Sequence, residues 1–257
     1  MATGSVGFIG AGRVAKILVG GWARAKSLPG QVAAYDANPA VCESLKVLSP
    51  TVVAAQLAEA AGQDIVFLAV HPPVVKDVLP LVQEHLKKDA MLVSLAPKFT
   101  VAKISELLGG FARIARVIPN APSLVGHGYN PVAYAAGLPT DARKHLADLL
   151  APLGDCPEVP EKDLEAYAIL SAMGPTYFWP QFYALKELGE SFGLTSDAAM
   201  RALDKMLWGT VATMKESGLS PAEVQDLIPV KPMAEEAASV AAAYGAKLAG
   251  LMEKIRP

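Results

Sequence analysis

The sequence predicts an α/β fold: a doubly wound, mostly parallel sheet followed by an all-helical domain. Three observations carry that prediction. Over roughly the first 150 residues, short apolar runs alternate with helical patterns, and strands separated by crossover helices make parallel sheets. The first apolar run enters a glycine turn, Gly10-Ala11-Gly12-Arg13-Val14-Ala15, that opens straight into a helical stretch. Past Leu153 the strand pattern stops and helical spacing takes over.

The elements follow in order. Apolar runs place strands at Ser5–Ile9, Gln31–Tyr35, Thr51–Ala54, Asp64–Val70, Ala90–Leu95 and Arg113–Ile118, with a further one at Pro131–Ala136. Helical patterns fall between them at Arg13–Ala25, Pro39–Leu48, Gln56–Ala61, Val74–Lys87, Val101–Leu108 and Thr140–Leu150. The stretch Gly154–Asp163, GDCPEVPEKD, is rich in Gly, Pro and acid and breaks the alternation. Beyond it, Leu164–Phe192 and Ser196–Ser217 read as helices, with Thr195 or Ser196 as N-cap and Gly218 as stop. Ser220 caps a short helix to Ile228 with Pro221 at its first position, and Ala234–Ile255 is an Ala-rich helix. The expected domains are 1–155 and 156–257.

Composition narrows the class. The chain is 52% hydrophobic and 19% charged, with a mean hydropathy of +0.31. That suits strands buried on both faces and leaves apolar surface for a partner subunit. The net charge is −2 with no basic tract, which argues against nucleic acid. No uncharged run approaches the roughly 18–20 residues of a membrane span, and the early strand leaves no room for a signal peptide. Cys42 and Cys156 lack metal spacing and read as free thiols in a reducing cytoplasm. No His/Cys/Asp/Glu grouping has ligand spacing, so no metal is expected.

The glycine turn is where chemistry enters. Gly10 permits the tight bend, Gly12 lets the backbone meet phosphate without a Cβ, and Ala15 is small enough for close helix–strand packing. The helix start adds free N–H groups and the positive end of its dipole. A dinucleotide pyrophosphate is the ligand that such a turn fits. Asp36 ends the next apolar run, 21 residues past Ala15, where a carboxylate accepts from ribose hydroxyls and repels a 2′-phosphate. That favours NADH over NADPH, while Arg13, a cation at the helix start, argues the other way.

Two further stretches are odd choices for plain packing. Arg116–Gly128 (RVIPNAPSLVGHG) sets two prolines and two glycines in a stiff loop at a strand's carboxyl end. Leu170–Tyr177 (LSAMGPTY) puts Gly174-Pro175 inside a helical pattern, which frees backbone groups and restarts the helix. A helix beginning there would point Thr176 toward an interdomain cleft. With the glycine turn, these segments make the chain resemble the pyrroline-5-carboxylate reductases almost end to end. GFIGAGRVA at Gly7–Ala15 is similar to that family's cofactor loop, and Leu68–Pro72 to its Ala-Val-Lys-Pro segment. Arg116–Gly128 resembles its Arg-Val-Met-Pro-Asn-Thr-Pro loop, and Ser171–Tyr177 its Ser-Gly-Ser-Gly-Pro-Ala-Tyr helix start.

The resemblance implies a Rossmann-like domain, NAD(P)H-dependent reduction of a small-molecule cyclic imine to proline, and a homodimer or larger oligomer built from the C-terminal helices. The expected geometry seats the pyrophosphate on Gly10, Ala11, Gly12, Arg13 and Val14. The nicotinamide lies beside Ala69, Val70, His71, Pro72 and Asn120, and the substrate between that ring and Ser171–Thr176, with Thr176 and Ser171 as catalytic hydroxyls. This chain also departs from the family. His71 replaces a Lys, Ala121 a Thr, and Ala172 and Met173 a Gly and a Ser. Where the family has Ser-Pro-Gly-Gly-Thr-Thr to hold a substrate carboxylate, Leu227–Glu235 reads LIPVKPMAE. Prolines delete donors there, and Lys231 offers a charge instead.

Of the other histidines, His85 and His145 read as surface residues, while His127 falls inside the matched loop. The aromatic group Tyr177, Phe178, Trp179, Phe182 and Tyr183 reads as core or subunit packing, or as a pocket wall. Two alternatives stay open. One is a dinucleotide-binding redox sensor without catalysis. The other is a β-hydroxyacid-type dehydrogenase, disfavoured because Lys162 and Lys186 lack an Asn four residues on (Ala166 and Glu190).

Overall fold

The computed structural model describes residues 4–257. Two compact units are present: one runs to Met173 and takes in Leu251–Pro257, and the other is Gly174–Gly250. The first unit alternates β1 (Val6–Ile9), α1 (Arg13–Arg24), β2 (Val32–Tyr35), α2 (Pro39–Lys46), β3 (Val52–Ala54), α3 (Leu57–Ala61), β4 (Ile65–Leu68) and α4 (Val75–Gln83). It continues through β5 (Met91–Ser94), α5 (Val101–Leu107), β6 (Ile114–Val117), β7 (Gly128–Tyr129), β8 (Val132–Tyr134), α6 (Thr140–Leu150), β9 (Gly154–Asp155) and α7 (Leu164–Tyr167). One sheet orders its strands β3-β2-β1-β4-β5-β6-β8. All pairs are parallel except β6 with β8. The expected doubly wound, mostly parallel sheet is what forms.

Strands β1, β4, β5 and β6 are buried at every position, as parallel strands covered on both faces must be. Their continuous apolar runs are the sequence signature of that burial. Phe8 and Phe67 stack at 5.1 Å from adjacent strands, and Trp22 of α1 packs on both rings. The Trp22 indole donates to the Leu149 carbonyl at 2.8 Å, so the one polar atom of this fully buried side chain is satisfied.

The acidic Gly/Pro stretch after Leu153 holds the expected domain boundary at 155/156. It is stitched to the first unit by main-chain bonds. β9 pairs with β7 in a small parallel ribbon, Asn130 N donates to Asp155 O at 2.8 Å, and Val132 and Pro157 are joined at 2.9 Å. Main-chain ladders need no particular side chain, so the strand pattern missed them. Leu164 and Ala168 then pack with Ile118 and Ala133 in a second small core, closed by Ile255 from the chain's end. The contacts therefore divide the chain at Gly174, some way beyond the expected boundary at 155, and return the last turn to the first unit.

The second unit is helical: α8 (Pro175–Ser191), α9 (Ser196–Glu216), α10 (Pro221–Asp226) and most of α11 (Ala234–Ile255). The caps are those the sequence indicates. The Thr195 hydroxyl accepts from Ala198 N, and Ser220 and Glu223 form a reciprocal capping box. Leu164–Phe192 is interrupted, running as α7, a π-helical turn at Ala168–Ala172, and a new helix with Pro175 at its first position. No residue of α8 is buried, and its aromatic group is half-exposed at Phe178 and Trp179. Among the described residues, no helix is long and apolar enough to cross a membrane.

Candidate functional site

The glycine turn sits where the carboxyl ends of β1 and β4 meet. Gly10 has φ +99, and a Cβ there would lie 2.7 Å from the Ala69 carbonyl oxygen. Both the left-handed conformation and the close approach therefore require glycine. The turn is fixed from behind: Gly10 N donates to Tyr35 O at 2.8 Å, and Ala11 N donates to Asp36 Oδ2 at 2.9 Å. Gly12 is the N-cap of α1 and has ordinary negative φ, with no side-chain cap and no acid in the first turn. A Cβ on Gly12 would have no atom within 4 Å. The twelve-residue helix thus presents an uncapped N-terminus over open space, the arrangement that receives an anion. Arg13 is exposed and Val14 half-buried beside it, while Ala15 is fully buried against the strand layer.

Asp36 stands half-buried at the carboxyl end of β2. Its Oδ1 accepts from Asn38 N at 3.0 Å while Oδ2 accepts from Ala11, so one carboxylate ties the glycine turn to the β2–α2 connection. Sequence reasoning assigned Asp36 a ligand and missed this internal tie. Beside it opens a cleft of about 300 Å³ lined by Tyr35, Asp36, Ala37, Cys42, Ala54 and Ala55, among others. Burial, with Asp36 near, pushes the Cys42 thiol up; the thiol donates to Ala34 O, which makes it neutral wall rather than nucleophile.

The segment after β4 lies where the sequence puts it. Ala69 N donates to Ile9 O at 2.8 Å, so β4 leaves the sheet in contact with the glycine turn. Ala69, Val70 and Pro72 are half-buried and His71 is exposed, ahead of a 3-10 turn at Pro72–Val74. Asn120, after β6, is 7% exposed, and its side chain is taken up internally. Nδ2 donates to Ser171 O at 3.3 Å, and Oδ1 accepts from Tyr129 N at 3.1 Å. Its own amide donates to Asn130 Oδ1, which also accepts from the Ser123 hydroxyl. Asn120 is thereby a tie between the loop and the π-helical turn. Ser171 donates its hydroxyl to Tyr167 O at 2.8 Å, leaving the oxygen's acceptor capacity. Thr176 is an exposed residue in the first turn of α8, in the second unit.

Three features escaped the sequence reading. Arg116, 1% exposed on β6, binds Glu165 at 2.5 Å and Glu161 at 3.0 Å. Glu161 also accepts from Val101 N, the first amide of α5. The signal was present as two acids four residues apart, but a lone Arg inside a strand names no partner. Tyr129 and Tyr167 stack obliquely at 5.8 Å, and desolvation, with Tyr167 beside it, pushes the Tyr129 phenol up. Lys98, after β5, has φ +73. Among the described residues, no three His, Cys, Asp or Glu side chains group as a metal site.

Most of the chain is similar to known proteins. The model of a family described as NADP oxidoreductase, coenzyme F420-dependent, matches residues 5–98. The chain is 27% identical over 223 residues to the pyrroline-5-carboxylate reductase of Pisum sativum, spanning 86% of this chain and 81% of that one. It is 30% identical over 230 residues to pyrroline-5-carboxylate reductase 3 of Macaca fascicularis, spanning 87% and 82%. The crystal structure of Plasmodium falciparum pyrroline carboxylate reductase with NADP bound shares the fold. Its TM-score is 0.75 at 23% identity, over 99% of this chain and 95% of that one.

Proposed function

This chain belongs to the pyrroline-5-carboxylate reductase family, and from that premise we propose that it reduces the C=N bond of a cyclic imine, pyrroline-5-carboxylate or a close relative, using NAD(P)H. The observation that carries the proposal is the glycine turn: an uncapped helix start over open space, braced by the Asp36 carboxylate. When bound, the reduced nicotinamide supplies the hydride. The chain's own residues bind and orient. Amides at Gly12, Arg13 and Val14 hold the pyrophosphate on a turn shaped by Gly10 and Ala11, whose own amides are bonded to Tyr35 O and Asp36 Oδ2, while Ala69, Val70, His71 and Pro72 flank the nicotinamide. Asn120 keeps its loop in register through Ser171 and Tyr129. Thr176 donates a hydrogen bond to the substrate, and Ser171, whose hydroxyl donates to Tyr167 O, accepts one.

NADH is the preferred reductant in this reading. A 2′-phosphate would face the Asp36 carboxylate, and among the described residues no Lys or Arg lines the cleft beside it. The second unit associates with another copy. Phe192, Trp208, Val211 and Met214 are more than half exposed in a single chain, an apolar surface that oligomers cover. Two free cysteines suit a reducing cytoplasm.

The test is NADH or NADPH consumption by the purified chain given pyrroline-5-carboxylate, with 2-oxo acids as the comparison set. Turnover of the imine with a lower KM for NADH supports the proposal. Tight cofactor binding with no turnover of any imine refutes it and leaves a dinucleotide sensor.

A further inference from the structure

Among the described residues, two non-glycine residues have positive φ, Lys26 at +55 and Lys98 at +73. Lys26 has a local reason. It follows the C-cap of α1, where Ser27 N donates to Trp22 O and Lys26 N to Ala23 O, the paired bonds of a Schellman helix end. Lys98 ends no helix; it follows Pro97 in a β-turn, at the position where a type II turn takes positive φ and favours glycine. It lies in the short connection between β5 and α5, and both sides of it are pinned. Ala96 N donates to the Ser94 hydroxyl and Phe99 is buried. The Thr100 hydroxyl accepts from Lys103 N, and Val101 N donates to Glu161. The surroundings hold a lysine in a backbone state that suits glycine, and such strain persists where a side chain is needed.

Position and charge say what for. β5 lies between β4 and β6, so Lys98 stands at the carboxyl edge of the sheet, where ligands of open α/β sheets bind. Two strand spacings, about 10 Å, separate β5 from β1, which sets Lys98 away from the pyrophosphate turn and beyond the β4 segment assigned to the nicotinamide. Lys98 is exposed, and among the described residues it has no ion-pair partner. We propose that Lys98 is a specificity residue that receives the carboxylate of the imine substrate. This inference rests on the reductase reading above. It accounts for how a chain whose 227–235 stretch carries two prolines and no glycine or threonine can still select an anionic imine.

The experiment compares wild type, Lys98→Gly and Lys98→Arg in the full chain. One readout is kcat/KM for pyrroline-5-carboxylate relative to 1-pyrroline, which lacks the carboxylate. The other is affinity of the NAD-loaded protein for L-proline relative to pyrrolidine. Losing one charged hydrogen bond lowers both ratios about tenfold to a hundredfold in Lys98→Gly, with Lys98→Arg within about tenfold of wild type. Because glycine fits φ +73, Lys98→Gly melts no lower than wild type, so misfolding does not explain the loss. If Lys98→Gly keeps both ratios within about threefold of wild type, the inference is overturned. If wild type reduces neither imine, the reductase reading fails, and Lys98 is judged on proline binding alone. Proline affinity that falls in Lys98→Gly sustains the inference; affinity that is unchanged, or absent in wild type, overturns it.

Discussion

Replacing Gly12 with alanine should separate stability from coenzyme binding. Gly12 has φ −70, which alanine adopts freely, and the added methyl would find no protein atom within 4 Å. At such a site, alanine stabilises by about 0.4–1 kcal/mol, chiefly by restricting the unfolded chain. For a chain of this size that raises Tm by about 1–4 °C. The same methyl fills the space over the start of α1, where the diphosphate would lie. A hydrogen bond to a charged group is worth about 1.5–3 kcal/mol, so displacing two weakens binding by about 3–6 kcal/mol, roughly two to four orders of magnitude in Kd. The assay pairs a thermal melt with NADH fluorescence titration. Gly10→Ala serves as the contrast, since its methyl would meet the Ala69 carbonyl at 2.7 Å in a strained φ and should lower Tm. A Gly12→Ala chain that melts higher yet binds NADH as wild type does would refute the placement of the pyrophosphate at this turn.

Asp36→Asn should narrow the preference for NADH over NADPH by about tenfold, read as the ratio of kcat/KM for the two coenzymes; an unchanged ratio removes Asp36 from coenzyme selection. Arg116→Met strands Glu165, 2% exposed, as a buried carboxylate without its cation. Removing one partner of such a pair costs about 3–5 kcal/mol, visible as a lower urea midpoint, and a shift worth under about 1 kcal/mol contradicts the assignment. Asp64 accepts from Lys87 at 2.7 Å and from Ser5, and the lysine holds its carboxyl at about 2, below the ordinary 3.8. A lowered native pKa adds stability that is present above the unfolded value and lost as pH falls from about 4 to about 2. Both side chains are nearly half exposed, at 48% and 46%, so the contribution stays under about 1 kcal/mol. Asp64→Asn should flatten the acid limb of a stability–pH curve over that window and leave neutral pH little changed.

Most of the first unit's strands were legible within a residue or two, because each is a short run whose own side chains are buried. β4 and β5 read directly from IVFL and MLVS. The glycine turn was legible for the same reason: Gly10, Gly12 and Ala15 are constrained by neighbours in sequence and by one strand–helix contact. Helix starts at Thr195 and Ser220 carry their signals in the side chains that make the bonds. What escaped was made by residues far apart. Asp36 braces Ala11 across 25 positions, Arg116 finds Glu165 across 49, and Asn120 reaches Ser171 across 51. None of these pairs has a spacing that a linear reading can recognise.

The amino-acid order alone settled the periodicities: which runs are strands, where helices begin, and that a turn shaped for a diphosphate follows the first strand. Those properties depend on interactions over a few residues, and so they survive in one dimension. Folding chose the partners. It turned an acidic, proline-rich stretch into the β9 edge and brought Ile255 back beside Ile118. Each of those results depends on which distant groups share a buried volume, and close packing in three dimensions decides that.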